Sequence, residues 1–214
     1  MLKREGWRVG KSRVYRLYRL EGLQLRMRCR RRKKLALHRG PAPQPQGPNQ
    51  CWAMDFVHDQ LASGRRIRML TVIDKWSRES VLVEVDFAMD GARLIAAFER
   101  LKRTRSMPQI ITVDNGSEFA SKVFDEWTFR HGIKLDFIRP GKPVENGMIE
   151  SFNGRLRDEC LNVFEFSTME DAKCKIEAWR YDYNHHRPHG SLGDLTPIEY
   201  LRKGQANPME AAKL

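Results

Sequence analysis

Residues 51–57 read C-W-A-M-D-F-V, a run of strand-favouring residues with one carboxylate, Asp55, in its middle. Two more such runs follow, I-R-M-L-T-V-I at 67–73 and V-L-V-E-V-D-F at 81–87, each closed by polar or glycine-containing breaks. Three consecutive short strands predict an antiparallel meander. After them the period changes. From about Asp90 to Arg105, Ala92, Ile95, Ala96, Phe98 and Leu101 give a helix its apolar face, and a strand at 109–113 follows. A helix over about 117–131, a strand at 134–138 and a long helix over about 144–160 continue the alternation. A last helix, about 168–184, leads into an irregular basic tail. Meander followed by alternation predicts the α/β class, with a mixed five-stranded sheet, three strands antiparallel and then two parallel, flanked by helices.

Upstream of Cys51 the sequence has another character. Residues 40–49, G-P-A-P-Q-P-Q-G-P-N, carry four prolines and cannot be regular helix or central strand, so they read as a linker. Residues 1–39 form a separate arm. Val14, Leu17 and Tyr18 are spaced as in a helix that breaks at Gly22, with Ser12 as its expected cap. This resembles the end of a helix-turn-helix unit. Ten residues ahead of Ser12 leave room for only part of a first helix, so the arm reads as a partial unit and the chain as truncated at its amino end. The core is expected over 50–203, and 204–214 as a disordered tail.

The charge is equally uneven. Residues 1–40 hold 15 Lys and Arg against two Glu, a net of +13, whereas 41–214 hold 24 against 25, a net of −1. The excess lies wholly in the arm, and its run Arg26, Arg28, Arg30, Arg31, Arg32, Lys33, Lys34 suits a polyanion, since cations that neutralise phosphates release condensed counterions. Double-stranded DNA is the expected partner. No apolar stretch nears the roughly 20 residues that span a bilayer, and no apolar signal core follows the basic start, so a cytoplasmic, nucleoid-associated protein without a membrane partner is expected. Cys29, Cys51, Cys160 and Cys174 form no C-x-x-C pair, which predicts neither a disulfide framework nor zinc.

Three acids stand where this order of elements brings them near one another. Asp55 inside an apolar strand is a local contradiction, because a buried lone carboxylate is costly and calls for a cation or a wet cleft. Asp114 heads D-N-G-S-E-F at the carboxyl end of a strand, the edge at which open α/β sheets place ligands. Glu150 lies on the long helix, with Arg157 seven residues on and so on nearly the same face. Three carboxylates suit two Mg2+ or Mn2+ ions acting on a phosphodiester, where charge builds on the entering and leaving oxygens together. Lys142 and Asn146 precede the Glu150 helix and are candidate phosphate contacts. Asp59, Asp74, Glu118 and Glu145 read as solvated or capping acids, Trp52 and Trp76 as core aromatics, and His185, His186 and His189 as a packing or DNA-facing segment rather than a metal site.

Asp114 and Glu150 have 35 residues between them. With D-N-G-S-E-F, with G-K-P-V-E-N-G-M-I-E-S-F-N-G-R-L-R-D-E-C-L, and with the late Y-N-H-H-R-P-H-G-S-L, this resembles the catalytic protein of bacterial insertion sequences related to retroviral integrases, over roughly residues 1–203. The resemblance implies a ribonuclease-H-like core, dependence on magnesium or manganese, and DNA cleavage and strand transfer by a 3′ hydroxyl. Metal-holding and catalytic roles fall on Asp55, Asp114 and Glu150, and the basic residue after the glutamate on Arg157. It also implies a homo-multimer when two ends are synapsed, and admits the product of an upstream reading frame as a partner. Nothing matches the His and Cys zinc module of retroviral integrases.

Overall fold

A computed structural model describes residues 4–23, 45–114, 119, 121–138 and 146–206. The chain divides into two units, Met1–Pro43 and Gln44–Leu214. The first contains one described helix, α1 (Lys11–Leu20), which starts at Gly10 rather than at a Ser12 cap and buries none of its residues. Arg30, Arg31, Arg32, Lys33 and Lys34 lie outside the described residues, as do Lys142, Glu118 and Glu145.

In the second unit β1 (Cys51–Gln60), β2 (Arg66–Asp74) and β3 (Ser80–Asp86) form the meander, followed by α2 (Gly91–Lys102), β4 (Ile110–Val113), α3 (Lys122–Arg130) and β5 (Lys134–Phe137). One sheet results, in the order β3-β2-β1-β4-β5, with β1 antiparallel to β2 and parallel to β4. The mixed five-stranded sheet is the one expected. β1 lies at its centre because both of its faces are apolar. Trp52 and Met54, fully buried, point to the side of α2 and α3, while Ala53 and Val57 point to the other side. α2 is capped by the Asp90 carboxylate, which accepts from the Arg93 amide at 2.8 Å. Two exposed ion pairs, Arg93 with Asp86 and Arg100 with Glu84 at 2.7 Å, tie it to the edge strand β3.

The second face is covered by α4 (Gly147–Leu156) and α5 (Met169–His185), the latter capped by Thr168. The sequence predicted one helix from about 144 to 160. Instead α4 gives way at Arg157–Leu161 to a π-turn, in which the Asn162 amide reaches the Arg157 carbonyl at 2.8 Å. A π-turn brings residues five apart onto one face, and here it lets Leu156 and Leu161 both enter the core beside Cys160.

The irregular tail is also corrected. A 3-10 turn at Gly190–Leu192 is followed by α6 (Pro197–Ala206), so helix extends past residue 204. Thr196 and Glu199 cap its start reciprocally: the Thr196 amide donates to Glu199 Oε2 at 2.9 Å and the Glu199 amide to Thr196 Oγ1 at 3.2 Å. α6 lies on the β2–β3 turn, where Tyr200 meets Trp76 at 4.8 Å and Gly204 touches the indole. No described helix is long and apolar enough to cross a membrane.

Candidate active site

Alternation along β1 sends Asp55 to the side of α4, together with Ala53 and Val57. Its Oδ1 accepts the Phe56 amide at 2.7 Å and its Oδ2 accepts Asn153 Nδ2 at 2.9 Å. Asn153 is one turn beyond Glu150 on α4. Its own Oδ1 lies 2.9 Å from the hydroxyl of Thr71, the residue paired with Asp55 across the β1–β2 ladder, and that hydroxyl is also 3.0 Å from the Asp55 carbonyl. One chain of polar contacts thus ties β1, β2 and α4 together at the carboxylate. Asn153 and Thr71 were not singled out from sequence; the signal available was an amide three residues after the glutamate, on its helix face.

Asp114 stands just past β4, half-buried, and Glu150 is exposed in the first turn of α4. The Asp55 carboxyl is pushed above its ordinary range, first by burial and then by the negative charges of Asp114 and Glu150, against the lowering effect of the Phe56 amide and Asn153. Three acids from three elements therefore share one electrostatic neighbourhood. They are not drawn into contact: among the described residues no group of three His, Cys, Asp or Glu is close enough to grip a metal ion. All the donors are oxygen and mutually repulsive, a set that suits a hard divalent cation and no soft one. Lys75 adds a cation on the same side, its Nζ 3.3 Å from the hydroxyl of Thr112, which pairs with Ala53.

The other sequence candidates are dispersed. Arg157 is exposed and donates from Nη2 to the His58 carbonyl at 3.1 Å, at the far end of β1. Asn146 is only 4% exposed, at the start of α4, and its side chain does not cap the helix. Asp74 is a capping acid, fully buried, its Oδ1 accepting the Trp76 and Ser77 amides at 2.8 Å each. His185 stacks on Tyr181 at 4.0 Å and His186 lies 3.4 Å from Asp182, while His189 is buried against Tyr183.

Two family models, each described as an integrase core domain, match residues 45–143 and 131–197, which together span the sheet and both helical layers. The insertion element IS407 uncharacterized 31.7 kDa protein of Burkholderia multivorans is 42% identical over 96% of this chain and 74% of its own. The insertion element IS476 uncharacterized 39.2 kDa protein of Xanthomonas euvesicatoria is 41% identical over 97% of this chain and 60% of its own. Transposase InsF for insertion sequence IS3A of Escherichia coli is 29% identical over 75% of this chain and 56% of its own. This chain thus spans between about half and three quarters of these relatives.

In fold, it matches a chain of the simian T-cell lymphotropic virus intasome in complex with PP2A regulatory subunit B56 gamma at a TM-score of 0.67, with 18% identity over 79% of this chain and 60% of that one. It also matches the HTLV-2 integrase catalytic core domain in complex with magnesium at 0.58, with 20% identity over 72% and 97%. The sheet is thus that of the retroviral integrase cores, a ribonuclease-H-like fold. With both parts of the core matched and 42% identity across 74% of the IS407 protein, the chain belongs to the integrase-core family of insertion-sequence transposases.

Proposed function

We propose that this chain cleaves DNA at the ends of an insertion element and joins the freed 3′ hydroxyl to target DNA, with Asp55, Asp114 and Glu150 as its metal-holding and catalytic acids. The observation that supports the reading is the placement of Asp55 on β1, Asp114 just past β4 and Glu150 in the first turn of α4, near enough for the charges of the latter two to act on the half-buried Asp55 carboxyl. A related chain named a transposase and a magnesium complex of a chain with the same fold support the choice of reaction and ion. Two magnesium or manganese ions, when bound, would stabilise charge on the entering and leaving oxygens of the phosphodiester.

The chain's own residues perform the rest. Asn153 and Thr71 hold Asp55 in one orientation, so that its oxygens are fixed before DNA arrives. Glu150, exposed in the first turn of α4, faces substrate without having to unfold anything. Lys75 adds positive charge at Thr112, two residues before Asp114, and the arm at Arg30, Arg31, Arg32, Lys33 and Lys34 is assigned to the DNA backbone, together with Lys142, Asn146 and Arg157. Synapsis of two ends would join two or more copies.

The test uses purified protein, magnesium and labelled element-end duplexes. Nicked and joined products are expected from the wild type and none from Glu150→Gln, which conserves volume and leaves DNA binding in place. Activity retained by Glu150→Gln removes the assignment, and cleavage of RNA–DNA hybrids with none of duplex ends marks a plain nuclease instead.

A further inference from the structure

The turn between β2 and β3 sends one cation back across the sheet. Lys75 is half-buried there, with its backbone fixed on both sides: its amide donates to the Cys51 carbonyl at 2.9 Å, and its carbonyl accepts Arg78 Nη1 at 2.6 Å. Its Nζ donates to Thr112 Oγ1 at 3.3 Å, and that hydroxyl, on a residue 3% exposed, lies 3.6 Å from Cys51 Sγ. Ile111 and Val113 pack on the side of α2 and α3, so Thr112 faces the other side of the sheet, the side of Ala53 and Asp55.

The β1–β4 ladder places that ammonium near two of the acids. Thr112 pairs with Ala53, and Asp114 follows Thr112 by two residues as Asp55 follows Ala53. Residues two apart along a strand share a face at a spacing of about 6–7 Å. The Lys75 ammonium is therefore tethered one such step behind Asp55 and Asp114. One of its three N–H donors is used by Thr112, and among the described residues it meets no carboxylate. A lysine ordinarily keeps its ammonium in bulk water and its stem free to move. One that is tethered to a buried hydroxyl, with two donors left over, is placed for an anion that comes to the acids.

We propose that Lys75 binds a non-bridging oxygen of one backbone phosphate in the DNA strand processed at the acidic site, with Thr112 holding the ammonium in position before the strand arrives. An ammonium is a compact point charge whose donors suit a phosphate oxygen. The carboxylates alone would repel the strand, and a cation fixed one step behind them offsets part of that repulsion. This rests on the reading of the chain as a DNA strand-transfer enzyme, and its test is set without metal so that binding and catalysis are judged apart.

In metal-free buffer, the affinity for a labelled element-end duplex is measured against salt concentration for the wild type and for Lys75→Met, which keeps the apolar stem. Lys75→Met should weaken binding roughly 10-fold and lower the slope of log affinity against log salt by about 0.9. The duplex is then rebuilt with one neutral methylphosphonate at a time along its last helical turn. In the wild type one position should weaken binding by the same factor, and in Lys75→Met that position should have no further effect. Thr112→Val, which keeps the charge but frees it, should leave the slope in place and lower the affinity several-fold; unchanged affinity overturns the tether. If every methylphosphonate weakens wild type and Lys75→Met equally, Lys75 acts only through the overall field and the proposal falls. It falls too if Lys75→Met binds as the wild type does, since the ammonium would then only balance the acids. Should Lys75→Met not fold, Lys75→Gln carries the same comparison. A wild type that does not nick the duplex once magnesium is added overturns the strand-transfer reading, whereas the methylphosphonate comparison judges the phosphate contact alone.

Discussion

At the scale of single residues, the candidate site centres on a charged strand residue, Asp55, whose carboxylate is satisfied by the Phe56 amide and Asn153. Asn153→Ala removes the contact to Asp55 Oδ2 and should cut activity and metal affinity by about 10–100-fold, read by nicking assays and metal titration. The raised Asp55 carboxyl means that the folded chain binds a proton there more readily than the unfolded one, so its ionisation opposes folding as pH rises. Asp55→Asn should therefore raise the metal-free melting temperature at pH 7 while abolishing activity, with the gain shrinking once both states of the wild type are protonated. His189 has the opposite sign. Burial first, and then Arg187 and Arg155, push it down to about 4 from 6.5. Between those values the unfolded chain takes up a proton that the folded chain refuses, so stability should fall by up to about 3 kcal/mol from pH 6.5 to 4. A flatter pH–melting curve for His189→Phe checks this. Asp55 was legible in the sequence because a carboxylate among Met54, Phe56 and Val57 breaks the pattern. Asn153 and Thr71 were not, since a polar residue on a helix or strand reads as solvated until the opposing element is in place.

At the scale of elements, four of the five strands were read to within a residue because polar and glycine-containing breaks bound them, while β1 runs three residues past the expected Val57, and the mixed character of the sheet was expected though its strand order was not. Two helical details were also missed. The π-turn at Arg157–Leu161 arises from a packing demand, the burial of Leu156 and Leu161 together, that no local propensity announces. α6 was missed although T-P-I-E at 196–199 carries a capping box and a proline at the first helical position, because the basic residues around it suggested an irregular tail. Its docking depends on one missing side chain. A Cβ on Gly204 would lie 2.2 Å from Cη2 of Trp76, a buried ring that cannot swing away. Gly204→Ala should therefore cost about 1–3 kcal/mol of stability, measured by denaturant unfolding, while Lys203→Ala, exposed one residue earlier, should cost almost none.

At the scale of the whole molecule, the charge excess and the acids proposed as catalytic lie in different parts of the chain. The net of +13 lies in residues 1–40, and the acids lie on β1, after β4 and on α4. Deleting residues 26–34 should weaken duplex binding and flatten its salt dependence, whereas an unchanged slope would move the footprint onto the core. The arm's composition could be read as basic without any structure, but which phosphates it meets is set by geometry outside the sequence pattern. The β1–β2 pairing, Asp55 opposite Thr71, also bears on how copies of such a gene decay. Side chains alternate along a strand, so loss of one codon between Cys51 and Met54 would turn Asp55 toward α2 and α3 and offer Phe56 to Asn153 in its place. The same loss in the turn at 62–65 would shorten only a surface connection. If Asp55 has the role proposed for it, an in-frame deletion of three nucleotides silences one copy and spares another, and its place relative to β1 tells the two apart.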